Sequence, residues 1–485
     1  MSEDFLPLNE RFPAAGLQPA GKLPLQAVGQ RIPAQQLSIG CECLDRDYWQ
    51  WEKALPALRE LSPGWARLQS GWAKCERSPG VYDFAWLDQI VTDLLAQQIK
   101  PWVCVCYGNP LYYPEGTGVR ACPLQASTAA AAAWPRYLEA LARHYQGRVQ
   151  HFEVWNEPEL SWGPTALRDA ADYVELVAVS SAALRRGNPT ACIIGGAAAS
   201  GVRNSPRYHG FAFAAAQFAA GLGKHIDAYS YHAYDVFPEL VQEPEKRFFQ
   251  RILARYGLEN LPLWQGEGGC PACWQKDNAL SKHPWTETKQ AKHLLRNILC
   301  DLRQGAALSS YFMLSDFVYR HPDGSTSPTY YGLLSGEDYR RRPAFYAYQS
   351  LTEIFAGQLE VNDALLFSLH KTTAERTVIS LEDSAGIDAL RTSIQRFAFT
   401  VSGRTILAWH RPVNPHRPEE LFLNTLLLEG DGLEQFREPL LLDPVTQQLY
   451  RPTRLTVEER WGSERVRIDD LPVLDYPLFL LGQVN

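Results

Sequence analysis

HFEVWNEPEL, residues 151–160, starts as a buried strand and ends on a polar pair. Phe152, Val154 and Trp155 are residues a pleated, enclosed strand favours. Asn156 and Glu157 are not, and Pro158 lacks the N–H that a sheet ladder needs. The stretch therefore reads as a strand whose last residues leave the sheet with an amide and a carboxyl exposed at its C-terminal end.

Working outward, seven further short apolar runs resemble its first half: 37–43, 65–69, 100–106, 191–196, 226–232, 261–266 and 307–314. Several are flanked by Gly or Pro, as strands buried on both faces of a parallel sheet often are. Amphipathic helices lie between them. Leu87, Ile90, Val91, Leu94 and Leu95 follow the helical period. Trp134, Tyr137, Leu138 and Leu141 do so behind a Ser127/Thr128 cap, and Leu294, Leu295, Ile298 and Leu302 run up to Gly305. The pattern over 166–186 stops at Gly187. Eight strands alternating with helices predict a (β/α)8 TIM barrel over 37–356. A doubly wound open sheet would require a glycine-rich phosphate loop after an early strand, and GGAAASG (195–201) lacks that spacing.

After 341–355 the period changes. FAFTVSGRTILAWHR (397–411) alternates on both sides of Ser402-Gly403, a hairpin signature. More short strands follow, so 357–485 is expected to form a smaller all-β, sandwich-like C-terminal domain. Residues 1–36, rich in Pro and Gln, read as a lead-in segment.

The bulk numbers exclude other classes. Net charge is −7 with no basic tract, which argues against a nucleic-acid partner. No apolar run reaches the ~18 residues of a membrane span. The acidic start MSEDFLPLNE lacks a secretory h-region, so a cytoplasmic location is expected. Ten cysteines in 485 residues are not a disulfide scaffold. Cys41/Cys43, Cys104/Cys106 and Cys270/Cys273 read as small buried hydrophobes, with a disulfide or redox lock at Cys270/Cys273 as the alternative. No second C-x2-C stands in register with the last pair, so no metal is expected.

In a barrel of this class, chemistry sits at the C-terminal ends of the strands. Glu157 ends the fourth, and in LPLWQGEGG (261–269) Glu267 ends the seventh. A lone glutamate at a strand end is ordinarily a solvated loop acid. Two of them facing each other across one barrel mouth suit glycosidic bond cleavage, in which one carboxyl protonates the leaving oxygen while the other attacks the sugar or activates water.

On these motifs the chain resembles the clan A glycoside hydrolases, and within them family 39 and its relatives, over about 37–356. The resemblance implies a retaining hydrolase acting on β-linked (or arabinosyl-type) oligosaccharide, polysaccharide or aryl and alkyl glycosides, without a cofactor. It implies Glu157 as acid/base, Glu267 as nucleophile, and Asn156 as the donor to the sugar 2-hydroxyl. WARLQSGWAKCERSPGVYDF (65–84) resembles the family's arginine-bearing strand, which would put Arg67 beneath the nucleophile. SYHAYD (230–235) resembles its His-x-Tyr motif, which would set His232 and Tyr234 beside the nucleophile or the sugar. Two departures stand out. Gly266 precedes the nucleophile where Thr or Ser is usual, and the eighth strand offers Tyr311, Phe312 and Asp316 where a Trp is common.

Sugar sites also need aromatic faces beside polar donors. Trp72, Tyr107, Tyr112, Tyr113, Trp162, Trp274 and Trp285 are the candidates at predicted loop positions, with Tyr107 and Asn109, directly after the third strand, the best placed, and Tyr311 the candidate from the eighth strand. The rival expectation is an inactive glycosidase-like barrel that only binds carbohydrate or regulates.

Overall fold

In a computed structural model the chain is described except for residues 1–4, 161–166, 168, 200–210, 321–323, 372–393, 417–421, 461 and 484–485. Trp162 lies outside the described residues.

Eight parallel strands close into a barrel: Ala34–Gly40, Pro63–Gln69, Lys100–Val105, His151–Val154, Cys192–Ala198, Ala228–Ala233, Leu263–Gly268 and Leu308–Tyr311. The first and last complete the ring through the register Leu37↔Ser309 to Ile39↔Tyr311. Each expected run is present, displaced by a few residues. The floor of the barrel is filled by Trp102, Ile194, Ala228, Trp264 and Leu308. Trp102 donates its indole N–H to Ser38 Oγ at 3.1 Å, so a polar atom is satisfied within this plug.

The helices confirm the periodic reading, with one change of mechanism. Ser127 Oγ accepts from the Ala130 N–H at 2.9 Å and caps Thr128–His144 as its position suggested. Gly187 is not a left-handed stop. It is the last residue of Ala170–Gly187, and a Cβ there would meet the Glu139 carbonyl oxygen at 2.3 Å. Its missing side chain lets this helix lie against Thr128–His144.

The C-terminal strands form two antiparallel sheets, one of seven strands and one of four. Gln395–Val401 and Arg404–His410 make the expected hairpin; Ser402 and Gly403 both have positive φ (50° and 81°), as its two-residue turn requires. The segment read as a lead-in has a structural role in this region. Leu17–Lys22 pairs with Gln448–Pro452 and is the outermost strand of the seven-stranded sheet. Pro19 and Gly21 hide a strand from propensity reading, yet suit an edge, where one ladder face needs no partner. Among the described residues no helix is long and apolar enough to cross a membrane.

Barrel and sheets share a continuous apolar core and a buried ionic contact. Arg296, on the helix Glu287–Gln304, forks onto Glu239 at 2.6 and 2.8 Å and donates to the Val413 carbonyl at 2.9 Å. His410 of the sheet lies 2.8 Å from the same Glu239. All three side chains are buried. Removing the acid strands a guanidinium in the interior. Glu239→Ala is therefore expected to lower the unfolding free energy by about 3–5 kcal/mol, measured by denaturant titration; a loss under about 1 kcal/mol would mean the contact does not tie the two parts together.

Candidate active site

The fourth strand ends earlier than its sequence suggested, at Val154. The backbone then turns sharply, with Trp155 at φ 70° and Glu157 at φ 48°. Left-handed conformations are costly for side chains of this size and persist only where surroundings hold them. Here the Trp155 N–H donates to the Val105 carbonyl at 3.1 Å and the Glu157 N–H to the Ala197 carbonyl at 2.9 Å. This turn, rather than Pro158 alone, lifts Asn156 and Glu157 out of the ladder.

Below them lies Arg67, on the second strand and fully buried. Its Nη1 donates to Glu267 Oε2 at 2.6 Å and to Glu42 Oε1 at 3.1 Å. Its Nε and Nη2 reach Glu153 Oε2 at 2.9 and 2.6 Å, and Nη2 also reaches Asn156 Oδ1 at 2.8 Å. Burial works against its charge, but Glu153 and the other acids hold it well above the usual range.

Glu267 accepts from the Tyr234 hydroxyl at 2.6 Å through its other oxygen. Burial by itself pushes this carboxyl up; His232, the Arg67 guanidinium and the Tyr234 hydroxyl together hold it below its ordinary value. Glu267 is therefore kept ionised. His232, fully buried, bridges the two acids: its Nδ1 lies 3.1 Å from Glu157 Oε1 and 3.8 Å from Glu267 Oε2. Carboxylate oxygens of Glu157 and Glu267 and a His232 ring nitrogen all fall within 4.8 Å of one another. Such an approach of one oxygen from each acid suits direct attack, for which ~5–5.5 Å between the groups is typical, better than the water-wide gap of an inverting pair, ~6.5–9.5 Å.

The two acids open into a cavity of about 420 Å³, also lined by Asn156, Tyr107 and Tyr234. Asn156 spends Oδ1 on Arg67 and one amide hydrogen on the Tyr107 hydroxyl, 3.1 Å away. Its second amide hydrogen is left to donate into the pocket. Gly266 has a spatial explanation: a Cβ there would meet Ser230 Oγ at 2.3 Å and the Trp102 ring at 3.4 Å, so the plug leaves no room for Thr or Ser.

Three expected binding residues are elsewhere. Trp72 is sealed under the loops, stacked between Tyr112 and Tyr137, with its indole N–H on Glu76 Oε2 at 2.6 Å. Asn109 caps a short turn through the Leu111 N–H at 2.9 Å and donates to the Glu76 carbonyl at 2.8 Å. Both build the support of the mouth instead of its surface. Tyr311 is buried towards Tyr348 on the last barrel helix, and the next residue, Phe312, lines the cavity in its place. Tyr113 is likewise tied down, to the Ala121 carbonyl at 2.7 Å, and Trp285 is buried, while Trp274 is exposed outside the cavity. None of the ten cysteines is in a disulfide, Cys270 and Cys273 included.

Other contributors were missed. Glu42 lines the pocket just beyond the first strand, and Glu153 is buried in the fourth. An acid inside an apolar run was the available signal for Glu153. Phe317 and Tyr319 reach the cavity from a two-stranded ribbon, Phe317–Arg320 with Thr326–Thr329. Their i, i+2 spacing ahead of Pro322-Asp323-Gly324 was legible as a hairpin.

Tyr234→Phe removes a donor that favours the charged nucleophile. The acid limb of the kcat/KM–pH profile is expected to move to higher pH and kcat/KM to fall roughly 10-fold or more; an unmoved limb would dissociate Tyr234 from Glu267 ionisation. Burial is the largest influence on Glu42 and raises it to about 7 against the pull of Arg67. A carboxyl raised on folding binds its proton more tightly when folded, so its contribution is lost as pH climbs from about 4.5 through about 7. Glu42→Gln should therefore gain stability relative to the parent across that window, read from unfolding midpoints at successive pH values; parallel curves would refute it.

The sequence profile of glycosyl hydrolases family 39 matches residues 74–354, more than half of the chain. No curated relative matches the sequence at a significant level. Among solved structures, a family 39 glycoside hydrolase from the gut symbiont Bacteroides cellulosilyticus WH2 aligns over 95% of this chain and 83% of its own, with TM-score 0.65 and 18% identity. A monomeric beta-xylosidase from Caulobacter crescentus CB15 aligns over 96% and 98%, with TM-score 0.56 and 16% identity. A GH30 endoxylanase from Clostridium papyrosolvens C71 aligns over 95% and 99%, with TM-score 0.55 and 9% identity. At these identities the likenesses speak to the fold, while the profile match speaks to descent. The chain belongs to glycosyl hydrolases family 39 and is a retaining glycoside hydrolase.

Proposed function

We propose that Glu267 is the nucleophile and Glu157 the acid/base of a double displacement on a β-linked glycoside. The observation that carries this reading is the sub-4.8 Å approach of the two carboxyl groups around His232. Glu267, held ionised by Arg67 and Tyr234, attacks the anomeric carbon. Glu157 delivers a proton to the departing oxygen, and a glycosyl–Glu267 ester forms. Water, deprotonated by Glu157, then attacks the same carbon, releasing the sugar with retention and freeing Glu267. Asn156 donates to the 2-hydroxyl, and Arg67 fixes both ends of this arrangement.

A cavity of about 420 Å³ is the size of a small-ligand site rather than a long cleft. This supports action on terminal sugars or short oligosaccharides. One structural neighbour is a beta-xylosidase, so β-xylosides head the substrate panel. Ten thiols outside any disulfide support a reducing, cytoplasmic setting. The proximity of the two acids supports an active enzyme over the inactive-barrel alternative.

The test uses a panel of aryl glycosides. Glu267→Gln is expected to abolish turnover of any substrate the parent cleaves. Glu157→Ala is expected to slow it by about 10²–10⁴-fold, with partial rescue by azide on activated aryl glycosides. Parent-level activity in both variants would overturn the assignment.

A further inference from the structure

The pocket floor holds the ionised nucleophile candidate Glu267, and its wall carries two guanidinium groups. Arg46, in the turn after the first strand, and Arg120, in the loop after the third, line the same cavity as Glu157 and Glu267. Both lie against Tyr107, their guanidinium carbons 5.4 and 5.5 Å from its ring centroid. Arg46 is fixed: Nε reaches Asp45 Oδ1 at 3.2 Å, and Nη2 reaches Cys43 Sγ at 3.3 Å and Gln69 Oε1. Arg120 is different. Solvent-exposed at the mouth, it forms no ion pair with any carboxylate among the described residues. Two cations converging on one ring repel each other, and Arg120 has chiefly that ring to offset the repulsion from Arg46.

Their position relative to the sugar follows from the hydrogen-bond chain. Resting on the proposed function, Asn156 meets the 2-hydroxyl of the cleaved residue, and Asn156 is bonded to Tyr107. On that reading, groups around the Tyr107 ring flank the sugar on its O-2 side, where O-3 is the neighbouring oxygen, away from C5. A carboxylate on C5 would not meet them; an anion on O-3 would. Guanidinium forks match carboxylate and sulfate oxygens well. An anion placed deeper would face the ionised Glu267 and be repelled.

We propose that Arg120, with Arg46 behind it, binds an oxyanion carried on O-3 of the cleaved sugar, so that the enzyme prefers acidic glycosides. The oxyanion is either a sulfate ester on that oxygen or the carboxylate of an acidic sugar linked through it.

The test is equilibrium binding to full-length Glu267→Gln protein, which needs no turnover. The probes are the methyl β-glycosides of xylose, glucose and galactose, each unmodified, 3-sulfated, or extended at O-3 by glucuronic acid. At least one acidic probe is expected to bind 10-fold or more tighter than its neutral parent, and its advantage to shrink steeply between low and high salt. Adding Arg120→Gln should erase most of that advantage, while Arg120→Lys should retain part of it. Tighter binding of the sulfated or the glucuronyl probe identifies the source of the anion. The proposal is overturned if no acidic probe outbinds its parent, or if the advantage survives Arg120→Gln. Turnover by the parent with and without Glu267→Gln reads the glycosidase assignment separately.

Discussion

A single guanidinium organises this molecule. Arg67 joins residues from different parts of the barrel wall: Glu42 past the first strand, Glu153 and Asn156 on and past the fourth, and Glu267 on the seventh. A buried cation is tolerable only with close, hydrogen-bonded acids, and buried acids only with such a cation. The dependence runs both ways, so the strands cannot shift against one another without exposing an unpaired charge. The barrel beneath supplies the dry base this needs, with the Trp102 ring 5.3 Å from the guanidinium carbon.

Three carboxylates around one arginine do not balance, and the surplus is handled unequally. Glu267 keeps its charge because it also has Tyr234 and His232. Glu42, pushed up by burial and left with the longer bond from Nη1 and, among the described residues, no partner for Oε2, holds its proton up to about 7. One acid is thereby made reactive and its neighbour quiet by the same side chain. The inequality comes from what offsets burial: Glu267 has His232, Arg67 and Tyr234 against it, whereas Glu42 has Arg67 alone among side chains.

The parts of this arrangement that sequence exposes are those written locally. Buried parallel strands are continuous apolar runs, so the eight of them could be read, and an acid at the end of such a run, like Glu157 or Glu267, announces itself. What depends on packing between distant segments does not. Nothing near Trp72 says that Tyr112 and Tyr137 will enclose it, and Asn109 reads equally well as a ligand or as a cap. Tyr311 and Phe312 differ by one position of strand alternation, which is finer than the precision of a strand end read from sequence. Leu17–Lys22 is a strand only because an exposed edge awaits it at Gln448–Pro452.

That edge pairing has a consequence for how the chain is assembled. The seven-stranded sheet takes its outermost strand from ahead of the barrel and the rest from behind it. On a ribosome, Leu17–Lys22 emerges early and must wait, unpaired, until residues 448–452 have been made. Every barrel strand is synthesised in that interval. The sheet is thus the last part of the molecule able to finish, and it closes over a barrel already present, joining early and late chain in one ladder. A fragment cut at the apparent boundary near residue 357 would leave that ladder without its edge.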